Sequence, residues 1–214
     1  DLGKYVGDFE QCAMVAYRFD PDYTIAGRHY AHPLIQWSTI IAGAVAGSIS
    51  IVEEVTRLMS PWGQAIDPHA AWLVERGMRT LDVRMQRHNV NGMAVARWAE
   101  TRDPIVRVHY PGLPSHPDHA YAASVLDGFG GMVGLELKGG SRAAEKFLKK
   151  LKLVKHAPSL AGVESLISEP RLTSHRRLTE EQRARQGVPD GFLRLSCAIE
   201  NAEDIIADLD QALG

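Results

Sequence analysis

Hydrophobic and polar positions show no regular periodicity in the first 40 residues, and they show a regular one thereafter. Prolines and glycines interrupt residues 1–40, which predicts an extended arm. The small residues of 42–47 indicate a short strand. Apolar residues then recur at helical spacing from 49 to 59, and the Ser-Pro-Trp-Gly segment 60–63 is expected to end that helix.

A long helical stretch is predicted from His69 to about Thr101. Asp67 is placed to cap it, and Pro68 occupies its first position, where a missing N–H costs nothing. We expect a bend near Gly77 or near Asn91-Gly92. The apolar residues that fall roughly on one face are Leu73, Met78, Leu81, Met85, Val90 and Val95.

Strands and helices alternate after residue 100. Apolar alternation predicts strands at Ile105–Tyr110, Met132–Leu137 and Phe192–Ala198. Helical spacing predicts Ser141–Leu151, capped by Ser141, and Ala202–Leu213. The closing helix should direct inward Ile205, Ile206, Leu209 and Leu213. This order indicates an α/β or α+β domain with one sheet and helices packed on it.

Composition excludes some classes of function. The 214 residues are 45% hydrophobic and 23% charged, as in ordinary soluble domains, and the net charge of -2 favours neither a nucleic-acid nor a membrane-surface partner. The weakly polar run 35–52 is too interrupted to span a membrane. No secretory signal is visible, and two distant cysteines form no disulfide framework, so a cytoplasmic setting is expected.

Three histidines and a lysine cluster are better explained by a solvated surface than by chemistry. His109, His116 and His119 have no carboxylate or cysteine to complete a metal-ligand set. The lysines between 146 and 152 indicate a solvated helix end. Cys197 lies in a predicted strand, where a small buried apolar residue is the better interpretation than a nucleophile.

From about residue 41 to its end the sequence resembles the trans-sulfuration (cysteine and methionine metabolism) family of pyridoxal-phosphate (PLP) enzymes. This family includes cystathionine γ-synthases, cystathionine β- and γ-lyases and methionine γ-lyase. The matching blocks follow the family order and cover roughly four fifths of the chain. They are AGAVAGS (42–48), ERGMRTLDVRMQRHNVN (75–91), VHYPGLPSHPDHA (108–120), GFGGMVGLELKGG (128–140), LKLVKHAPSLAGVESLISEP (151–170), TSH (173–175) and FLRLSCAIENAEDIIADLDQAL (192–213).

The resemblance implies an α/β fold, the fold-type-I PLP-dependent transferase fold, represented here mainly by its C-terminal α+β domain. It implies an N-terminal arm (1–40), a remnant of the PLP-binding domain (41–64) and a C-terminal domain (65–214), with most of the cofactor domain absent from the sequence. His32–Thr39 resembles an element near the family's amino terminus, which places a junction at residues 40–41. An alternative alignment puts Ile40 where the cofactor lysine belongs, and both alignments leave the chain without that lysine.

Arg194 matches the arginine that binds the substrate α-carboxylate in the family. A guanidinium suits this role because its fork makes two parallel charge-assisted bonds to a planar carboxylate. Leu193 and Leu195 point to the opposite face of the strand, which fits a surface arginine as well. The motif favours the binding role.

Ser159 and Leu160 are the other candidate substrate-binding residues. They open the segment 159–165, which matches the family's Ser-x-Gly-Gly-x-Glu-Ser loop, and Ser159 would hold the same carboxylate through its main chain or hydroxyl. Without the resemblance, a plain turn would be preferred. Ala161 replaces a usual glycine, which implies less backbone freedom, and Pro158 stands where many γ-synthases and γ-lyases carry a glutamate.

Three functions follow as hypotheses. We favour a lyase or transferase of sulfur amino acids (cystathionine, homocysteine, methionine or cysteine) that uses pyridoxal 5'-phosphate and, by resemblance, assembles as a homotetramer. The alternative is a non-catalytic truncated homologue that acts as a binding or assembly subunit. A third, weaker hypothesis is a sensor that holds an amino acid with Arg194 and Ser159.

Overall fold

The computed structural model describes residues 48–63 and 66–214. The described residues up to Asp82 form one unit, and Val83–Gly214 form a second. The strand expected at 42–47 and the junction at 40–41 lie outside the described residues, and the domain boundaries remain predictions. In the part of the chain that the structure describes, no helix is both long and apolar enough to cross a membrane.

The first helix, α1, spans Ile49–Trp62 and is longer than its sequence predicts. Pro61 was expected to end it but lies in its last turn, because a proline there forfeits a single backbone hydrogen bond. The helix ends where Gly63 adopts a left-handed φ of 65°.

The second helix, α2, spans Pro68–Met78 and has the predicted start. The carboxylate of Asp67 accepts the backbone N–H groups of His69 at 2.9 Å and Ala70 at 3.1 Å, which confirms it as the cap. The predicted helical stretch is divided by a turn at residues 79–80, which separates α2 from α3 close to Gly77, one of the two places where a bend was expected.

The third helix, α3, spans Leu81–Glu100 and runs unbroken through Asn91-Gly92, so the bend proposed there is wrong. Gly92 serves close packing, since a Cβ at this position would lie 2.4 Å from the carbonyl oxygen of Gly130. The predicted apolar stripe needs correction too. Val90 is 57% exposed, whereas His88 and Asn91 are buried.

Among the described residues, five strands form one sheet in the order β1-β2-β5-β4-β3, which confirms the mixed α/β fold. Neighbours pair antiparallel except β3 and β4, which are parallel. The strands are β1 Ile105–His109, β2 Met132–Leu137, β3 Lys155–His156, β4 Leu166–Ser168 and β5 Phe192–Ser196. The remaining helices are α4 His119–Val125, α5 Gly140–Lys150, the 3-10 turn Pro170–Leu172, α6 Glu180–Arg185 and α7 Ala202–Leu213.

The start of α5 differs from its prediction. The residue before it is Gly139, with a left-handed φ of 97°, and no side chain caps the helix. Ser141 therefore lies within the first turn, because the two preceding glycines can make the tight exit from β2 that a capping serine could not.

The sheet has two chemically distinct faces. One packs on α3, α5 and α7 and is fully apolar, with Val133, Leu135, Leu137, Ile167, Leu193 and Leu195 in the core. Alternate side chains point to the opposite face, which we call the Arg194 face. By strand register it carries Arg107, His109, Met132, Gly134, Glu136, Leu166, Ser168, Phe192, Arg194 and Ser196.

One buried carboxylate joins α7 to the segment after α5. Asp208 is 7% exposed and accepts the backbone N–H groups of Lys152, Leu153 and Val154, each at 2.8 Å. Burial by itself raises the pKa of this carboxyl, but the three backbone bonds and the Gln211 amide together outweigh burial and hold the pKa below its ordinary value. The charged carboxylate therefore stabilises the fold.

We predict that Asp208→Asn lowers the free energy of unfolding at neutral pH by about 1.5–3 kcal/mol, because charge-assisted hydrogen bonds are lost. Urea titration measures it. Since the folded-state pKa is depressed, this stabilisation is present above the unfolded-state pKa of about 3.9 and is lost as pH falls through the folded-state pKa. The wild type and the variant should therefore differ less in their free energy of unfolding below about pH 4.

Asp210→Asn is the matched control. Asp210 lies on the same helix but is exposed, with an ion pair to Arg102 at 3.3 Å. Its loss should change stability by about 0.5 kcal/mol or less. Equal effects of the two substitutions would contradict the special role of Asp208.

Candidate functional site

Arg194 lies on β5 with its side chain half-buried on the Arg194 face. Its Nη2 donates to the carbonyl oxygen of Pro158 at 2.7 Å. Within residues 48–63 and 66–214, no Asp or Glu forms an ion pair with it, and burial lowers the pKa of its guanidinium. An arginine still keeps its charge at neutral pH, so the strand presents a partly desolvated cation without an anion from the described residues.

The loop 157–165 crosses beside this arginine and is anchored at four points. The N–H of Ala157 donates to the Ile167 carbonyl at 3.0 Å, where the loop leaves β3. The Pro158 carbonyl holds Arg194, and the N–H of Ala161 donates to Ser196 Oγ at 2.9 Å. At its end, the Glu200 carboxylate accepts the N–H of Ser165 at 2.6 Å and its hydroxyl at 2.9 Å.

Ser159 and Leu160 sit between two of these anchors, half-buried. Neither residue makes a hydrogen bond to any other described residue. Their backbone N–H groups and the Ser159 hydroxyl therefore remain available next to the Arg194 anchor at Pro158. These groups are hydrogen-bond donors of the kind that a carboxylate accepts. Their role as substrate ligands stays a prediction.

Ala161 has a left-handed backbone with φ 59°, the only such non-glycine residue among those described. The sequence comparison expected a glycine here, and the structure supplies the reason that a glycine would suit. An alanine in this region costs about 1–2 kcal/mol, because its Cβ crowds the following carbonyl. The reduced backbone freedom expected at Ala161 therefore takes the form of a left-handed φ that an alanine adopts only with strain.

Several residues that position the site were missed from the sequence. The His88 Nδ1 lies 2.6 Å from the Cys197 carbonyl, and Asn91 Nδ2 donates to the carbonyls of Ala198 at 2.6 Å and Glu200 at 2.7 Å. Since a carbonyl only accepts, the bonded nitrogen of His88 carries its proton. The sequence signal that could have indicated them is the spacing of His88 and Asn91, two polar residues three positions apart on one face of a helix.

Cys197 takes the packing role that the sequence indicated, whereas His109, His116 and His119 are half-buried and not fully solvated as expected. Cys197 is fully buried, and burial raises the pKa of its thiol well above the ordinary value, which suits a packing residue. In the described part of the chain, no group of three His, Cys, Asp or Glu side chains could hold a metal. His109 is half-buried, and burial and the nearby Arg107 lower its pKa, with Glu136 opposing.

Lysines are all on the surface in the described residues. Each one is exposed, and the ammonium group of Lys155 donates only to the carbonyl of Lys152, at 3.1 Å. The exposed set is Lys138, Lys146, Lys149, Lys150, Lys152 and Lys155. A lysine that forms a Schiff base in a protected site is desolvated, so none of these fits that use.

Comparison with known proteins identifies the family. The model for the Cys/Met metabolism PLP-dependent enzymes matches residues 35–214, and the chain belongs to this family. It is 38% identical over 174 residues to chloroplastic cystathionine gamma-synthase 1 of Arabidopsis thaliana, covering 81% of this chain and 31% of that protein. It is 41% identical over 178 residues to cystathionine beta-lyase of Coxiella burnetii, covering 82% and 46%.

Solved structures agree with this assignment. The cystathionine gamma synthase of Xanthomonas oryzae pv. oryzae, solved in complex with aminoacrylate and cysteine, superposes with a TM-score of 0.74. The two are 40% identical, and the match covers 79% of this chain and 44% of that one. The chain thus spans less than half the length of the curated relatives named above.

The left-handed turn at Ala161 generates a stability prediction. Ala161→Gly should raise the free energy of unfolding by roughly 0.5–1 kcal/mol, because relief of the backbone strain exceeds the entropy that glycine adds to the unfolded chain. Urea titration measures the change. The control is Ala157→Gly in the same loop, whose φ is not positive, and which should lower stability by roughly 0.5–1 kcal/mol. If both substitutions changed the free energy of unfolding in the same direction, backbone strain at Ala161 would be contradicted.

Proposed function

We propose that this chain binds the α-carboxylate of a sulfur amino acid in a PLP-dependent lyase or transferase of the cystathionine γ-synthase type. The substrates are drawn from cystathionine, homocysteine, methionine and cysteine, which places the reaction in trans-sulfuration and methionine biosynthesis. The observation that carries the proposal is the guanidinium of Arg194, half-buried and with no carboxylate from the described residues.

The physical case rests on what a buried cation requires. Removing a guanidinium from water is costly unless an anion compensates, and the Pro158 carbonyl supplies only a neutral acceptor. One edge of the guanidinium is thus left for a planar anion. The guanidinium would bind this anion through two parallel hydrogen bonds. Ser159 and Leu160 add N–H and O–H donors beside it, and these donors fit the oxygens of the same carboxylate.

PLP is the cofactor proposed for the reaction, and family membership supports it. When bound, PLP acts as the electron sink of such reactions. The described residues do not offer the cofactor's attachment point, because their lysines are exposed. What the described residues fit is the substrate side: they hold and orient a carboxylate.

The relatives favour an enzyme over the alternative hypothesis. Those compared above are named as a synthase and a lyase, and a non-catalytic binding or assembly subunit finds no support among them. Identities of 38% and 41% to the two are too similar to favour either reaction type. We therefore place elimination and replacement reactions together in the proposal.

Arg194→Ala tests the proposal directly. We expect it to weaken binding of L-methionine by about 2 kcal/mol, because charge-assisted hydrogen bonds to the carboxylate are lost. Arg194→Lys should fall between wild type and alanine, since it retains charge but not the fork. Isothermal titration calorimetry of the full chain measures the dissociation constants, and melting temperatures verify that each variant folds.

Arg107→Ala serves as the control for Arg194. Arg107 is an exposed arginine of β1 whose side chain makes no hydrogen bond or ion pair with a described residue, so its removal should leave affinity unchanged. An unchanged affinity in Arg194→Ala would reject the carboxylate role.

A cytoplasmic homotetramer, built as a dimer of dimers, completes the proposal. The resemblance implies this assembly, and α1 supports it by exposing apolar side chains that an interface could bury. Ile49 is 78% exposed, Leu58 53% and Trp62 78%. A nucleic-acid or membrane partner is not part of the proposal.

Sedimentation equilibrium tests the assembly. We expect the protein to sediment with about four times its chain mass, and tetramer formation should weaken in Trp62→Glu, because a charge would be buried in the interface. The exposed Tyr121, 71% accessible on α4, supplies the control substitution Tyr121→Glu. A monomer at micromolar concentration would contradict the proposed assembly.

A further inference from the structure

Two side chains of β5 hold the two ends of one short stretch of loop. Arg194 and Ser196 are two residues apart, so both point to the Arg194 face, while Leu193 and Leu195 enter the core. Arg194 bonds the carbonyl of Pro158 at 2.7 Å, and Ser196 Oγ accepts the N–H of Ala161 at 2.9 Å. The stretch between these anchors consists of the two predicted ligands, Ser159 and Leu160.

The Ser196 anchor is well protected. Ser196 is 2% exposed, so water competes little for its hydroxyl. Its bond goes to the residue whose backbone is disfavoured, Ala161 at φ 59°. A strained turn persists only when its surroundings determine it, and the Ser196 hydroxyl is the described side chain that holds this peptide group.

We propose that Ser196 is a positioning residue for the carboxylate site. Its hydroxyl holds the turn at Ala161 against β5, so that the donors of Ser159 and Leu160 and the guanidinium of Arg194 act on one carboxylate. This inference rests on the proposed function. Ser196 acts through the loop, and its own buried hydroxyl does not contact the substrate.

A buried serine on the neighbouring strand provides a matched control. Ser168 pairs with Arg194 across β4 and β5 and is 1% exposed, yet its hydroxyl bonds no described group. Ser168→Ala and Ser196→Ala therefore remove the same atom from equally buried positions on the same face. Only the second removes an anchor of the loop.

The first readout needs no ligand. In Ser196→Ala, amide hydrogen exchange at Ala161 should accelerate by about tenfold or more, because its N–H loses its partner, while amides of the sheet core keep their protection. Ser168→Ala should leave exchange at Ala161 unchanged. Unchanged exchange at Ala161 in Ser196→Ala would overturn the anchoring role.

The second readout is discrimination between L-methionine and L-methionine amide, which differ in the carboxylate alone. In wild type we expect L-methionine to bind at least about tenfold more tightly, from its charge-assisted bonds. Ser196→Ala should reduce this ratio by about three- to tenfold, the equivalent of one misplaced hydrogen bond. A general structural defect would weaken both probes alike and leave the ratio unchanged.

The outcomes separate the two proposals. A wild type that does not discriminate between the probes overturns the proposed function, and the role of Ser196 with it. A wild type that discriminates, together with a Ser196→Ala variant that discriminates equally well, overturns the positioning role alone. A lowered ratio in Ser196→Ala and an unchanged ratio in Ser168→Ala support it.

Discussion

The chain that leaves β5 carries four successive carbonyl groups that must find donors, and α3 supplies all of them. His88 serves Cys197, Asn91 serves Ala198 and Glu200, and Arg87 reaches the Ile199 carbonyl at 3.4 Å. Buried carbonyls without donors would cost about 1–3 kcal/mol each. This set of bonds fixes where β5 ends, and therefore where Arg194, Ser196 and Glu200 stand relative to the 157–165 loop.

The charges of the described residues are divided in a way that isolates Arg194. Arg171 pairs with Glu169 at 2.7 Å, and Arg183 pairs with Asp190 at 2.7 Å. The buried carboxylate of Asp208 is occupied by backbone N–H groups, as is that of Glu200 in part. These pairings leave Arg194 without a carboxylate. Arg87 is also half-buried and forms no ion pair with a described residue, but it donates to the Ile199 carbonyl and to Asn201 Oδ1. On the proposed function, the substrate carboxylate supplies the anion that Arg194 lacks.

The sequence predicts those parts of the fold that follow from the local periodicity of hydrophobic residues. The strand Met132–Leu137 and the helix Ala202–Leu213 are correct to the residue, because alternation and helical spacing are clear in each. The stripe on α3 was wrong at Val90, which is exposed. His88 and Asn91 are buried instead, because they donate to carbonyls more than 100 residues away, and no local pattern contains that requirement. Likewise, the φ of Ala161 is imposed by its tertiary anchor.

The site itself could be predicted only in part for the same reason. Arg194 is a candidate because of the family motif, since strand alternation fits a surface arginine as well. Ser196 resembles any small polar residue on a strand until the loop is placed over it. On the proposed function, the described residues bind the α-carboxylate, which every α-amino acid has. A site for this shared group should be retained whichever bond the enzyme breaks, so the site alone does not distinguish a γ-synthase from a β-lyase. The determinants of reaction type must therefore lie nearer the substrate's other end.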